Sequence, residues 1–439
     1  MKMRMWTLFI LTRRSMTFFR STSESTSSDI LHEAILASSS SVRDSIPKQH
    51  REHFNTLRQE IIDFAQAHGI PRDTLNKPNA LREAAKKLSI PDLTQLATLL
   101  ERFEYLLKNK EPMKEDLAEA LEHAERLYHL KEQYDSQIEL LEQVGILKDG
   151  AIEGIDRNEY LVPTLEQIAS RLFERRKDLK FKHDQGFTKL LLVPFGMSLD
   201  ALMETFKQFL LDQKKKNPSF NLNINEPLWT WEEGYKGADT GNSPKLVYYP
   251  QSFTEKDHQG RTKMEILEEQ ARRRWTPTSV GVTQGSGAGV PGWTIHLLQP
   301  SDPKDQDSLG FAPISRKGKG TPQWGRYPLK ANKTPIEYLS LLQKAQDDPY
   351  SPYFQESGMT PEDWIMAFIL HFCETGRPLD DILNPMNTES NNCLIGAFFP
   401  SFVSVPCADW YRHGRHASFG GRLPDNQNED IGVRSSVVV

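Results

Sequence analysis

Cysteine is scarce: Cys373, Cys393 and Cys407 are the only three in 439 residues. An odd number with no CxxC pair argues against a disulfide framework or a Cys-rich zinc site, and fits a reducing compartment. Charge of one sign is also lacking. The formal net charge is −5, so no global basic field would draw nucleic acid. Short basic clusters at Lys214–Lys216, Arg272–Arg274 and Arg316–Lys319 read as solvated loops and faces, or as single contacts to a phosphate or partner. Long apolar runs are missing as well. The stretch Met5–Leu11 before Arg13-Arg14 is far too short to span a bilayer, and its charges follow the apolar residues instead of preceding them as in a signal peptide. The expectation is a cytoplasmic chain without a membrane span, with non-classical secretion or surface display as the other route; Met16 is a second candidate start.

Catalytic signatures are equally thin. There is no HExxH, no GxSxG elbow and no Walker lysine. Neither His50 with His53 nor His413 with His416 has a spacing that suits a metal. Asp347-Asp348 and Asp380-Asp381 fall at helix ends, where capping accounts for them. Gly285–Gly289 runs into Val290-Pro291-Gly292 and then a strand-like segment, so it lacks the helix N-terminus that would bind phosphate and reads as a surface loop. No catalytic residue, cofactor or metal is therefore expected.

What the chain does contain is organised in three parts. Residues 1–45 are rich in Ser and Thr and read as disordered. Residues 46–180 carry helical periodicity: Leu93, Leu96, Leu99, Leu100, Phe103 and Leu107 form one stripe, and Leu117 to Leu141 another. These suggest a long helical hairpin or short coiled coil, acting as a spacer or as a self-association arm. From residue 181 to 439 the texture is mixed. Leu190–Phe195 reads as a buried strand, Ser198–Leu211 as an amphipathic helix, and Pro361–Cys373 as a helix capped by Thr360 and stopped by Gly376. Short segments rich in Trp, Tyr, Gly and Pro lie between. The fold class is α+β, helical first and mixed afterwards.

The C-terminal segment differs in kind. After the apolar run Leu394–Phe399, a thin framework alternates with a dense set of Tyr, His, Arg, Ser and Asn residues, the types that supply contact area and hydrogen bonds in binding loops. The ending Gly432-Val433-Arg434-Ser435-Ser436-Val437-Val438, preceded by Val405-Pro406-Cys407-Ala408-Asp409-Trp410, resembles the C-terminus of C-type-lectin-fold proteins that are targets of diversity-generating retroelements, a fold shared with formylglycine-generating enzymes. The helix start Thr360–Ile365, the Gly376 turn and Gly396–Phe399 extend the resemblance over residues 359–439. Ser435-Ser436 departs from the family's usual ending. The resemblance implies that a template copy rewrites the 3′ end of the gene at adenines, and that 181–439 is a C-type-lectin-like domain with a variable ligand-binding segment at 400–434. Trp410, Pro406, Gly432, Arg434 and Val437 would be framework. Phe402, Ser404, Cys407, Asp409, Tyr411, His413, His416, Ser418, Phe419, Asn426 and Asn428 would be displayed to a protein or surface ligand. Two alternatives stay open: an enzyme of the formylglycine-generating or sulfoxide-forming type, for which Cys393 and Cys407 are the only candidate pair, and a helical-arm assembly protein.

Overall fold

A computed structural model of the chain describes residues 45–47, 50–71, 83–84, 87–88, 90–111, 115–272, 290–300, 314–315, 326–383 and 390–439. The Ser/Thr-rich stretch before Ser45, the loop Gly285–Gly289, Arg273-Arg274 and the cluster Arg316–Lys319 lie outside the described residues. The chain is 44% helical and 18% strand, which makes it α+β. It divides into two compact units between Arg126 and Leu127.

In the first unit, α1 (Arg51–Ala67) packs on α2 (Ile90–Asn109). Their apolar residues recur at intervals of three and four, so each helix buries one stripe. Phe54, Leu57, Ile61 and Phe64 meet Leu96, Leu100, Phe103 and Leu107, and the Phe54 and Phe103 rings lie 5.1 Å apart. Next comes α3 (Glu115–Tyr128). The stripe from Leu117 to Leu141 does not form one helix. It breaks at His129, whose φ is 51°, and resumes as α4 (Leu130–Gln143).

The second unit opens with the last residues of α3, then α4, a hairpin of β1 (Ala151–Glu153) and β2 (Glu159–Leu161), α5 (Leu165–Glu174), α6 (Arg176–Asp184) and β3 (Lys189–Val193). The expected boundary at 180 thus falls inside this unit, and the region read as helical contains a hairpin. Two glutamines explain why α4 belongs here. Gln137 donates to the Leu190 carbonyl (2.6 Å) and accepts from the Leu192 N–H (2.8 Å). Gln133 does the same with Thr188 and Leu190 (2.9 and 2.8 Å). Side-chain amides therefore satisfy the outer edge of β3, which would otherwise leave backbone groups unpaired.

The remaining elements are α7 (Leu199–Lys216), β4 (Leu228–Thr230), α8 (Glu232–Tyr235), β5 (Val247–Tyr248), α9 (Lys263–Arg272), β6 (Thr294–Leu298), β7 (Ile314–Ser315), β8 (Leu329–Lys330), α10 (Pro335–Gln346), β9 (Glu356–Gly358), α11 (Pro361–Thr375), β10 (Asn391–Cys393), β11 (Ala397–Phe398), β12 (Val405–Tyr411), β13 (His416–Arg422), β14 (Ile431–Gly432) and β15 (Ser435–Val438). Two sheets dominate. One is antiparallel in the order β3-β6-β15-β9; the other runs β14-β10-β12-β13-β4, with parallel pairing at both outer ladders. Helix α11 contacts β3 of the first sheet and β12 of the second, and packs on α7. Every residue from Pro361 to Phe372 is buried. Burial all round this helix fits its largely apolar composition. Its start is as expected: Thr360 and Asp363 form a reciprocal cap, Pro361 occupies the first turn, and Gly376 ends it at φ 69°.

Several charged side chains inside the unit are paired. Lys263 Nζ lies 2.5 Å from Asp239 and 2.8 Å from Glu362, and donates to the Met197 carbonyl (2.7 Å). Burial lowers its pKa, but the two carboxylates outweigh that and hold it above the ordinary lysine value. Glu356 receives Lys182 (2.8 Å) and both Nε and an η nitrogen of Arg326 (2.8 and 2.7 Å). Burial pushes its carboxyl up; Arg326 and then Lys182 more than reverse that. Ser435 and Ser436 are placed by polar partners of this kind. Ser435 donates to Glu356, and Ser436 Oγ lies 2.9 Å from His296 Nδ1, so at both positions β15 meets a polar partner inside the sheet.

Candidate recognition surface

Strand pairing decides which C-terminal residues share a face. β12 and β13 are joined in antiparallel register, Tyr411 opposite His416, Asp409 opposite Ser418 and Cys407 opposite Gly420. Because side chains alternate along a strand, Cys407, Asp409, Tyr411, His416 and Ser418 all point to one side. Ala408, Trp410, Ala417 and Phe419 point to the other, toward α11. There Trp410 stacks on Phe220 (5.4 Å) and Phe419 meets Trp364 edge-on (5.1 Å). Trp410 is core, as expected. Phe419 was expected to be displayed; it is fully buried, because it is one register step from Ser418.

The shared side is only partly open. Tyr411 and His413 are exposed, Ser418 and Phe402 half-buried, and Asn426 and Asn428 exposed in the loop before β14. Ser404, Cys407, Asp409 and His416 are buried, which corrects their expected display. Ser404 turns its hydroxyl to the Arg422 carbonyl (3.3 Å). Asp409 accepts a hydrogen bond from Asn391 on the neighbouring strand. Burial, and next the charge of Asp380, raise its pKa to about 7, against the opposing pull of Arg422 and Asn391. His416 lies 3.6 Å from Glu226; burial lowers its pKa and Glu226 opposes this.

Beside this face is a groove of about 450 Å³ lined by Trp229, Trp231, Phe402, Ser404, Gly420, Gly421 and Leu423. Trp229 and Leu423 are 41% and 57% exposed, large values for side chains of that size. Gly421 in the floor is glycine for a reason: a Cβ there would come within 2.5 Å of Ser404 Oγ and 2.9 Å of the Trp231 ring. One wall is held by a short 3₁₀ turn, Pro400–Phe402, closed by Val403 in left-handed backbone (φ 47°). That conformation is strained for a β-branched residue, and it sets the Phe402 ring against Trp231 (4.9 Å between centroids).

Sequence reasoning missed Trp229, Trp231 and Leu423. The Trp-Thr-Trp spacing of 229–231 was a usable signal, but nothing local says that β4 pairs with β13, some 190 positions on. The acidic pair was also misread. Asp380 and Asp381 are not capping residues: Asp380 Oδ1 lies 2.8 Å from two Arg434 nitrogens and its Oδ2 accepts from Trp364 Nε1 (2.8 Å), while Asp381 is paired with Arg412. Burial raises the Asp380 pKa, with Arg434 the main opposing influence.

Cys393 and Cys407 face each other across β10 and β12 with sulfurs 3.0 Å apart, both buried. Cys373 is exposed on α11. Among the described residues, no group of three or more His, Cys, Asp or Glu side chains is placed to hold a metal ion. No described helix is long and apolar enough to cross a membrane. No family model matches this chain, and neither the curated proteins nor the solved structures contain a significant match to it.

Proposed function

We propose that residues 127–439 form a non-catalytic recognition module, with a diversifiable surface displayed on a C-type-lectin-like scaffold. One observation carries this reading. Exposed large apolar side chains lie along the C-terminal hairpin: Trp229 and Leu423 in the groove, Val403 next to its Phe402 wall, Tyr411 near the tip, and Ile224 beside the tip through its neighbour Asn223. Exposed large apolar side chains set among polar ones on one surface are a usual mark of binding. The hairpin's other side is anchored by Trp410 and Phe419, so this surface is pre-ordered and binding costs little conformational entropy.

The displayed set under this reading is Tyr411, His413, Ser418, Phe402, Asn426 and Asn428 together with the groove residues Trp229, Trp231 and Leu423. Its test is the pattern of variation. Copies of the gene from independent isolates, and a template repeat beside a reverse transcriptase, would differ at adenines in codons for the outward positions of 400–434. Substitutions falling equally on Trp410, Phe419 and Val437 would sink the proposal.

The enzymatic alternative is favoured by the 3.0 Å approach of Cys393 and Cys407. It stands second because both thiols are buried under Tyr338 and Phe398 in one apolar cluster, and a substrate would need the hairpin to open first. Retention of ligand binding in Cys393→Ala separates the two readings.

A further inference from the structure

We propose that Cys393 and Cys407 are a covalent modification site: a thiol pair that closes reversibly into a cross-strand disulfide by exchange with a low-molecular-weight disulfide. The inference is independent of the recognition reading and rests on the sheet register.

Leu394 N–H donates to the Pro406 carbonyl (2.8 Å), which makes 394 and 406 a hydrogen-bonded position of the antiparallel pair. Positions alternate, so Cys393 and Cys407, directly opposite each other, form a non-hydrogen-bonded pair. At such pairs the Cα atoms approach to roughly 4.5 Å and the side chains are closest. That falls within the Cα range of about 4.4–6.8 Å found in disulfides. The sulfurs are already 3.0 Å apart, so bonding requires them to close by about 1 Å to the usual length near 2.05 Å, with no strand shift. A core pair of thiols acting only as small apolar groups has no need of this approach. Cys407 Sγ also lies within donating reach of the Val405 carbonyl (3.7 Å).

The chemistry balances with one oxidant. A Cys407 thiolate attacks a small disulfide and releases one thiolate; Cys393 then attacks the Cys407 sulfur of the mixed disulfide and expels the second. Two protein thiols become one S–S bond, the small disulfide is reduced to two thiols, and the two protons end on the leaving groups. Both cysteines are buried, so the first attack waits on local opening of β10 from β12, and the reaction is slow while the hairpin stays closed.

The experiment uses the full chain, in wild-type form and as Cys373→Ser to remove the exposed thiol. Each is equilibrated with oxidised and reduced glutathione at graded ratios, just below the melting midpoint. It is then quenched under denaturing conditions with an alkylating agent and mapped by mass spectrometry. The expected product is one intramolecular link between the peptides holding Cys393 and Cys407, reversed by dithiothreitol, with a higher melting temperature in the linked form. Full alkylation of both cysteines at every ratio overturns the proposal. So does glutathione that stays on Cys407 without being expelled, or a link that forms only when glutathione is added to denatured protein.

Discussion

Arg434 and Asp380 form a buried ion pair, with two guanidinium nitrogens each 2.8 Å from Asp380 Oδ1. Through Trp364 Nε1 on Oδ2, the pair ties the C-terminal segment to the central helix α11. Removing one partner leaves a buried charge uncompensated, so Arg434→Ala should destabilise the second unit by about 3–5 kcal/mol. Urea unfolding followed by the fluorescence of Trp364 and Trp410 measures it. A loss under about 1 kcal/mol would mean that Asp380 is neutral in the folded state.

The hairpin's two sides should respond differently. Phe419→Ala empties a buried ring position and should cost about 3–5 kcal/mol. Trp229→Ala and Tyr411→Ala sit at exposed positions and should change stability by under about 1 kcal/mol while weakening any partner's binding. Thermal melts of the three variants decide the point, and equal losses would remove the distinction between framework and display.

Glycines separate in the same way. A Cβ on Gly358 would lie 2.1 Å from Ile395 Cγ1, so Gly358→Ala should unfold or strongly shift the sheet. A Cβ on Gly420 meets nothing nearer than Trp229 Cζ3 at 3.9 Å. Gly420→Ala should therefore keep the melting temperature within a few degrees while adding a methyl group to the groove floor.

Asp409 gives the second unit a pH dependence of definite sign. Its folded pKa, about 7, lies above the ordinary carboxyl value of 3.8. Between those values the folded state holds the extra proton, so stability falls as pH rises, by at most about 1.4 kcal/mol per unit. The penalty is fully present above pH 7 and absent below about pH 4. Asp409→Asn should flatten this slope and leave the protein more stable than wild type at pH 8. Denaturant midpoints at pH 5 and pH 8 for both proteins test it, and parallel curves would disprove the assignment.

Local signals carried much of the fold. The cap at Thr360, the stop at Gly376 and the inward stripe of α7 were legible because each depends on residues within one or two turns. The break at His129 was not, because a left-handed histidine inside a continuous apolar stripe leaves no mark in the pattern. Phe419 was misplaced by one register step, a difference that composition cannot see. The ionic partner of Asp380, Arg434, and the partner of Ser435, Glu356, lie 54 and 79 positions away, so their roles exist only once the sheets have formed.

Val403 adds a different kind of consequence. Left-handed backbone costs an ordinary L-residue roughly 1–2 kcal/mol, and Asn or Gly much less. Position 403 is exposed, so nothing in the core demands valine. A lineage that no longer used the groove would recover that energy by a single codon change from Val to Gly. Position 403 thus serves as a historical marker: valine retained across descendants records selection for its own exposed side chain next to Phe402, and drift to Gly or Asn records the loss of that contact area.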